Sequence, residues 1–500
     1  MLERVNLGDI LPTEAPDHPA VIDIRDPRAE RVWTTDDLAR EANAVARGLL
    51  ARGFVRGQRI AIASDNRAEF LAAYLGTMRA GLVTVPVNHK LPRDTIDYIV
   101  ADAAISGAFV DRTRRAMLPS RLPLFDFDDD TYPALLDRGE LAPAVPVAGE
   151  IAKILYTSGS TGRPKGVPLP HAGQLWALTK YFTGTEQGRK DRTLVVAPTY
   201  HKNGLFFSMM ALSNQMTIVS APKFDARGYL EAVARFRCTV LTGIPTMFAL
   251  IARERDLIES LDLSAVRMVT IGSAPLTDAL LDRVKAIFPG AVVLNGYGTT
   301  EAGPCAFGAH PAGLERPPLA LGYPFPDITW RLVGGPAPDQ GVLQLRTPAL
   351  MPGYLNLATA TAEKLRDGWY DTGDVMRHDP DGFFYFVGRA DDMFVCGGEN
   401  VYPGEVEKLL ERHPAVAQAA VVPVSDEIKG QIPVAFVVAT PGSAPTEEEI
   451  RQFALREGAA YAHPRAVIFV PTIPVATTHK VDRRALIEQA TAVIRGRGRV

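Results

Sequence analysis

Between residues 33 and 110 the apolar positions switch repeatedly between two spacings. In TTDDLAREANAVARGLLARG (34–53), Leu38, Ala42, Val45 and Leu49 recur at helical intervals and fall on one face. RIAIAS (59–64) predicts a short buried strand, AEFLAAYLGTMRAG (68–81) a helix closing on Gly81, and LVTVPV (82–87) the next strand. DTIDYIVADA (94–103) and GAFVD (107–111) repeat the unit. Such alternation predicts an open, mostly parallel sheet covered by helices on both faces. The segment 118–149, with DFDDD and several later prolines, reads as an irregular connection. Strands resume near 193–197, 216–220, 238–242 and 266–271, with helices between them.

From about 320 to 388 the pattern changes. ITWRLV, GVLQLR and FFYFVG are short alternating runs set among Gly, Pro and Asp turns, which predicts a small antiparallel β-barrel or sheet. After GRADD (388–392) comes a compact α+β unit. GEVEKLLERH reads as a helix, AVAQAAVVPV and PVAFVVA as strands, and Thr446 stands at capping-box spacing from Glu449 before a further helix. AVIFV and a helix from Asp482 complete it. The expected fold class is α/β. A large N-terminal domain (1–388) of mostly parallel sheets with a small β-barrel subdomain is joined through 389–392 to a small α+β C-terminal domain (393–500).

Composition narrows the function. A chain of 500 residues with 47% hydrophobic and 22% charged residues can bury a large core. A net charge of −3 gives no electrostatic case for nucleic acid or a membrane surface as partner. Cys238, Cys305 and Cys396 form neither metal spacing nor a disulfide framework, which suits a reducing compartment. The amino terminus MLERVNLGDILPTEAP lacks the apolar stretch of an export signal, and no apolar run approaches the ~18 residues of a membrane span. The expected location is the cytoplasm.

Candidate chemistry concentrates at YTSGSTGRPKGV (156–167), which follows the apolar run IAKIL and holds three glycines, four Ser/Thr hydroxyls and two cations. A Gly- and Ser/Thr-rich turn leaving a strand can converge backbone N–H groups and hydroxyls on one anion, and Arg163 and Lys165 add positive charge. The Walker pattern is absent.

The loop instead resembles the phosphate loop of the AMP-forming adenylating enzymes: acyl-CoA synthetases, luciferases and peptide-synthetase adenylation domains. The remaining family segments have counterparts in order. They are PTYHKNGLF (198–206), IGSAPL (271–276), NGYGTTEAGP (295–304), GWYDTGD (368–374), GRADDMFVCGGENVYPGEVE (388–407) and IPVATTHKVDRRAL (473–486).

The resemblance implies a set of roles. Thr157, Ser158, Gly159, Ser160, Thr161, Gly162 and Lys165 form the phosphate loop for ATP. Ser273 and Ala274, with Asn295, Gly296, Tyr297, Gly298, Thr299 and Thr300, surround the adenine side, Tyr297 offering its flat face. Glu301 is the ligand for Mg²⁺, which commonly takes one carboxylate plus phosphate oxygens. Asp374 and Arg389 hold the ribose, and Lys480 bridges the attacking carboxylate and the α-phosphate. His201 is a gate; with Lys202, Asn203, Thr242, Gly243, Gly272 and Gly296 it lines the acyl pocket. Asp391 is the hinge of a mobile small domain, and Gly397 and Gly398 leave room for the thiol arm of CoA.

Two positions depart from the family pattern. His479 stands where the family usually has Gly, and Lys202 follows the gate histidine where many relatives are apolar. Lys202 can face solvent or the acyl pocket. The implied function is an ATP-dependent acid–CoA ligase acting through an acyl-adenylate on a short, hydroxylated or compact aromatic acid. The alternatives are a free-standing adenylation enzyme loading a carrier protein and a non-catalytic nucleotide-binding regulator. The expected partners are the acid, ATP and CoA, with the chain a monomer or homodimer.

Overall fold

Residues 4–26, 29–157, 163–180, 188–475 and 481–496 are described by a computed structural model. The first helical pattern becomes the helix Thr35–Ala51, and Leu38, Ala42, Val45 and Leu49 on its inner face are all 0% exposed. Thr34 starts it with a capping box closed by Asp37, which satisfies two amide donors that no helical turn reaches. The helix packs on Ala68–Arg79, every residue of which is buried; its small residues fit between neighbours on all sides.

Two sheets carry the large domain. One has six strands in the order Leu124–Asp126, Ile105–Val110, Arg59–Ala63, Val83–Pro86, Ile151–Thr157, Lys165–Pro170. Its pairs are parallel except the last, where Thr157 stands opposite Lys165 across the mouth of the Gly-rich loop. The second has seven strands in the order Val292–Gly296, Met268–Gly272, Val240–Gly243, Arg192–Val195, Thr217–Ser220, Pro19–Asp23, Arg31–Thr34. All its pairs are parallel but the last. Parallel strands need crossover connections, and the helices that make them cover the apolar faces.

The expected irregular connection at 118–149 is corrected in part. It contains the strand Leu124–Asp126 and the helix Thr131–Leu135. Three residues carry no periodic signal; the strand exists because Ala108, Phe109 and Val110 pair with Leu124, Phe125 and Asp126.

The small antiparallel sheet comprises Thr329–Ala337, Gln340–Arg346, Leu365–Arg366, Trp369–His378 and Phe384–Arg389. Register shifts at Val333/Ala337, Val342/Gln344 and Val375/Met376 bend it, since each unpaired residue increases local twist.

Beyond Arg389, five further strands and the helices Pro403–Glu411, Glu447–Glu457 and Arg483–Gly496 enclose a separate apolar core drawn from residues 394–494. Thr446 and Glu449 make both bonds of the expected capping box. This unit touches the large domain through its first helix, where Lys408 Nζ donates to the Phe386 carbonyl at 3.1 Å. Glu411 accepts from the Thr277 hydroxyl there, and burial pushes its carboxyl up to about 7. Among the described residues no helix is long and apolar enough to cross a membrane.

Candidate active site

In open parallel sheets, ligands bind beyond the carboxyl ends of the strands. A cavity of about 230 Å³ lies at that position, between the ends of Met268–Gly272 and Val292–Gly296 and the start of the helix Lys202–Ser213. Gly272 and Ser273 come from one strand end and Asn295 to Gly298 from the next, with Lys202 and Asn203 opposite. Ser273 takes a left-handed φ of 67°, a strained conformation for a residue with a Cβ. Gly298 must be glycine, because a Cβ there would stand 2.2 Å from the Pro304 carbonyl carbon.

Lys202 faces this cavity, and its Nζ donates to the Gly298 carbonyl at 2.5 Å. Beside it, the buried Asn203 Oδ1 receives no hydrogen bond from a described residue. His201 is the N-cap of the same helix through its backbone, and its ring packs 4.7 Å from Tyr200, outside the cavity wall. Thr242 and Gly243 also lie outside the wall. They end the next strand over, in register with Thr270 and Ile271.

A chain of hydrogen bonds leads from the cavity to the connecting segment 389–392. The Tyr297 hydroxyl donates to Asp374 Oδ2 at 2.6 Å, and Arg389 Nη1 donates to Asp374 Oδ1 at 2.7 Å. Arg389 Nη2 reaches Asp391 Oδ2 at 3.1 Å. Burial first, and then the Asp374 carboxylate, push the Tyr297 phenol well above its usual range. Burial opposes the Arg389 charge, but Asp374 and Asp391 outweigh it and raise the guanidinium further.

A second group forms around Glu301. Tyr354 donates to Glu301 Oε1 at 3.1 Å, and Lys165 Nζ lies 5.1 Å from the centre of the Tyr354 ring. Burial and then the Glu301 charge push the Tyr354 phenol up. Thr299 Oγ1 accepts from the Ala302 amide at 2.8 Å and shapes the turn carrying Thr300 and Glu301. Among the described residues no cluster of three or more His, Cys, Asp or Glu could hold a metal unaided. A single carboxylate fits a cation whose other ligands are waters and phosphate oxygens.

The sequence matches the pattern of AMP-binding enzymes over residues 12–355 and that of the AMP-binding enzyme C-terminal domain over 405–480. The chain belongs to the AMP-binding enzyme family. This AMP-binding enzyme is 34% identical over 469 residues to a feruloyl-CoA synthase from Amycolatopsis sp, covering 90% of this chain and 92% of that protein. Its fold matches ATP-bound MatB from Rhodopseudomonas palustris with a TM-score of 0.89 and 29% identity, over 98% of this chain and 99% of the other. It also matches the anthranilate CoA ligase AuaEII in complex with anthranoyl-AMP, with a TM-score of 0.87 and 26% identity over 98% of both chains.

Gly397 and Gly398 sit in the small domain of this AMP-binding enzyme, at the turn between Phe394–Cys396 and Glu399–Val401. Both have positive φ, 63° and 92°, as a two-residue hairpin turn of this hand requires. Ala274 follows Ser273 in sequence and lies outside the cavity wall. Ser158, Gly159, Ser160, Thr161, Gly162, His479 and Lys480 lie outside the described residues.

Sequence reasoning missed Tyr354, Phe207 and Met268. Phe207 and Met268 supply apolar cavity wall, and Tyr354 orients Glu301. No local signal marks Tyr354, since its partner is 53 residues away. Phe207 falls four residues after Asn203 on the helix Lys202–Ser213, a same-face spacing that could have found it.

Proposed function

We propose that this AMP-binding enzyme is an ATP-dependent carboxylic acid–CoA ligase that forms AMP and pyrophosphate. A carboxylate oxygen attacks the α-phosphorus of ATP and the bond to pyrophosphate breaks, giving an acyl-adenylate. The CoA thiolate then attacks the acyl carbon and AMP leaves. The observation that carries this reading is the shared wall. Gly296 and Tyr297 close a small, largely apolar cavity on one side and lead through Asp374 to Arg389 on the other. An acid in the cavity therefore lies against the nucleotide-binding residues. The similarity to a feruloyl-CoA synthase and to a ligase holding anthranoyl-AMP favours a compact aromatic acid.

The first step brings two anions together, so positive charge must stand where negative charge accumulates. Lys165 and the Gly-rich loop hold the β- and γ-phosphates, Tyr297 covers adenine, and Asp374 with Arg389 binds the ribose. Glu301, oriented by Tyr354, holds Mg²⁺, which neutralises phosphate charge when bound. Lys480 bridges the carboxylate and the α-phosphate. For the second step the small domain turns about Asp391 and brings Gly397 and Gly398 to the acyl carbon. The enzyme works in the cytoplasm as a monomer or homodimer.

A panel of acids assayed for CoA-dependent AMP formation, with no carrier protein added, tests this reading. Acyl-CoA production from at least one acid is expected. AMP release that needs a carrier protein, or none from any acid, would overturn it.

A further inference from the structure

We propose that Lys408 and Glu411 latch the small domain to the large one in the arrangement that serves the first step, which makes both of them positioning residues for adenylate formation. This rests on the ligase reading and specifies what holds its two domains during one of the two steps.

The helix Pro403–Glu411 of the small domain lies against Phe384–Arg389, the last strand before the connecting segment. Gly404, Lys408 and Glu411 follow at spacings of four and three and so share one helix face. That face meets the large domain at three points. A Cβ on Gly404 would stand 3.5 Å from the Val387 carbonyl oxygen, so helix and strand run close together there. Lys408 Nζ donates to the Phe386 carbonyl at 3.1 Å. Glu411 accepts from the Thr277 hydroxyl, which is held in place as the N-cap of the helix Asp278–Ile287. The Tyr402 ring lies over Gly388, where a Cβ would stand 3.3 Å from Cδ1.

These contacts are of a kind that can be made and broken. Val406 and Leu410, on the opposite face of the same helix, belong to the small domain's own apolar core, which closes without residues of the large domain. The docking face instead presents a glycine, an ammonium and a carboxylate. A hydrogen bond from a charged group is enough to bias two arrangements by roughly tenfold or more, and it does not fix either one permanently. One observation gives the step that this arrangement serves. Gly397 and Gly398 are exposed, a Cβ at either would meet no described atom within 4 Å, and neither lines the cavity. The turn assigned to the thiol arm therefore stands away from the acid, which is the arrangement of the first step. Phe386 and Lys408 lie on opposite sides of Asp391 in the chain, as do Thr277 and Glu411, so a turn about that residue separates both pairs.

The test uses the full-length protein and whichever of acetic, hexanoic, benzoic, cinnamic and malonic acids it turns over fastest with ATP, Mg²⁺ and CoA. Pyrophosphate release without CoA reads the first step, and acyl-CoA formation from the synthetic adenylate reads the second. Lys408→Met keeps most of the side-chain volume and removes the donor. It should slow the first step roughly tenfold and leave the second at the parental rate or faster. Lys408→Arg keeps a donor and should restore the first step. Glu411→Ala should likewise slow the first step alone, and Glu411→Gln, which keeps an acceptor, should restore it. Equal losses in both steps, or no loss in either Lys408→Met or Glu411→Ala, overturns the proposal while leaving the ligase reading intact. A second measurement fixes the domains covalently. The three native cysteines are buried, so a short bis-maleimide applied to the double variant Thr277→Cys, Glu411→Cys marks the introduced pair. The bridged protein should release pyrophosphate once per site yet form no acyl-CoA from supplied adenylate. A bridged protein that makes acyl-CoA near the parental rate, or a pair that the reagent does not bridge, overturns the latch. Failure to activate any of the acids overturns both readings.

Discussion

The Tyr297 hydroxyl donates to Asp374 Oδ2 across 77 residues of sequence, leaving Oδ1 to the Arg389 guanidinium. Asp374 is itself buried, so its charge depends on these two donors. Arg389 also bonds Asp391, and one guanidinium therefore connects the nucleotide side with the proposed hinge.

Asp374→Asn keeps the shape and removes the charge. Arg389 would lose its shorter ion pair, and the carboxylamide would offer a ribose one acceptor in place of two. Hydrogen bonds to a charged group contribute about 1.5–3 kcal/mol, so KM for ATP should rise by roughly 10- to 100-fold. KM for the acid should change much less, because Asp374 is not in the cavity wall. Steady-state kinetics with each substrate varied in turn check this. A parallel rise in both KM values would mean that Asp374 holds the fold and not the nucleotide.

Tyr354→Phe tests the orientation of Glu301. It deletes only the hydroxyl that bonds Oε1 at 3.1 Å and keeps the ring beneath Lys165. We expect the Mg²⁺ concentration for half-maximal activity to rise several-fold, with the melting temperature nearly unchanged. The same shift should appear without turnover, as weaker Mg²⁺-dependent stabilisation by ATP in thermal denaturation. An unaltered Mg²⁺ dependence would return Tyr354 to a packing role.

Lys153 interrupts the buried strand Ile151–Thr157, is 4% exposed, and forms no ion pair with a described residue. Burial alone lowers its pKa from 10.5 to about 7. The unfolded chain therefore binds the extra proton between about pH 7 and 10.5 while the folded chain does not, and in that window stability rises with pH. Below pH 7 both states are charged and the full cost of the buried ammonium is present. It is on the order of a few kcal/mol, since one pKa unit is about 1.4 kcal/mol. Lys153→Met should raise the melting temperature, most at pH 6 and progressively less towards pH 10. A gain that does not fall with pH would separate the effect from titration.

The same lysine marks a limit of what the sequence discloses. Within IAKIL it stands in an apolar run, and nothing local distinguishes a buried ammonium from one that reaches water. Features set by neighbours a few residues apart were legible: the inner face of Thr35–Ala51 and the Thr446–Glu449 capping box follow from spacing alone. Features set by distant partners were not. The strand Leu124–Asp126 exists through its pairing with Ile105–Val110, and the direction of Lys202 is fixed by a carbonyl 96 residues away. Motif order named Tyr297, Asp374 and Arg389 in separate segments, and only the fold discloses the hydrogen bonds that join them.

Lys480 supplies the sharpest test of the proposed two-step chemistry. Its ammonium is needed while negative charge builds between the carboxylate and the α-phosphate, and the proposed rotation then carries it away. Losing one preorganised donor of this kind costs on the order of 10²–10³ in rate, so Lys480→Ala should reduce adenylate formation by that factor. Thioester formation from synthetic acyl-adenylate and CoA should fall far less, because attack of the thiolate on the acyl carbon calls for no cation at the α-phosphate. Pyrophosphate release measures the first step, and acyl-CoA formation from supplied adenylate measures the second. Comparable losses in both would tie Lys480 to the whole cycle and refute its removal between steps. Adenylation near the parental rate would instead remove the lysine from the chemistry, and with it the role drawn for the loop at 473–486.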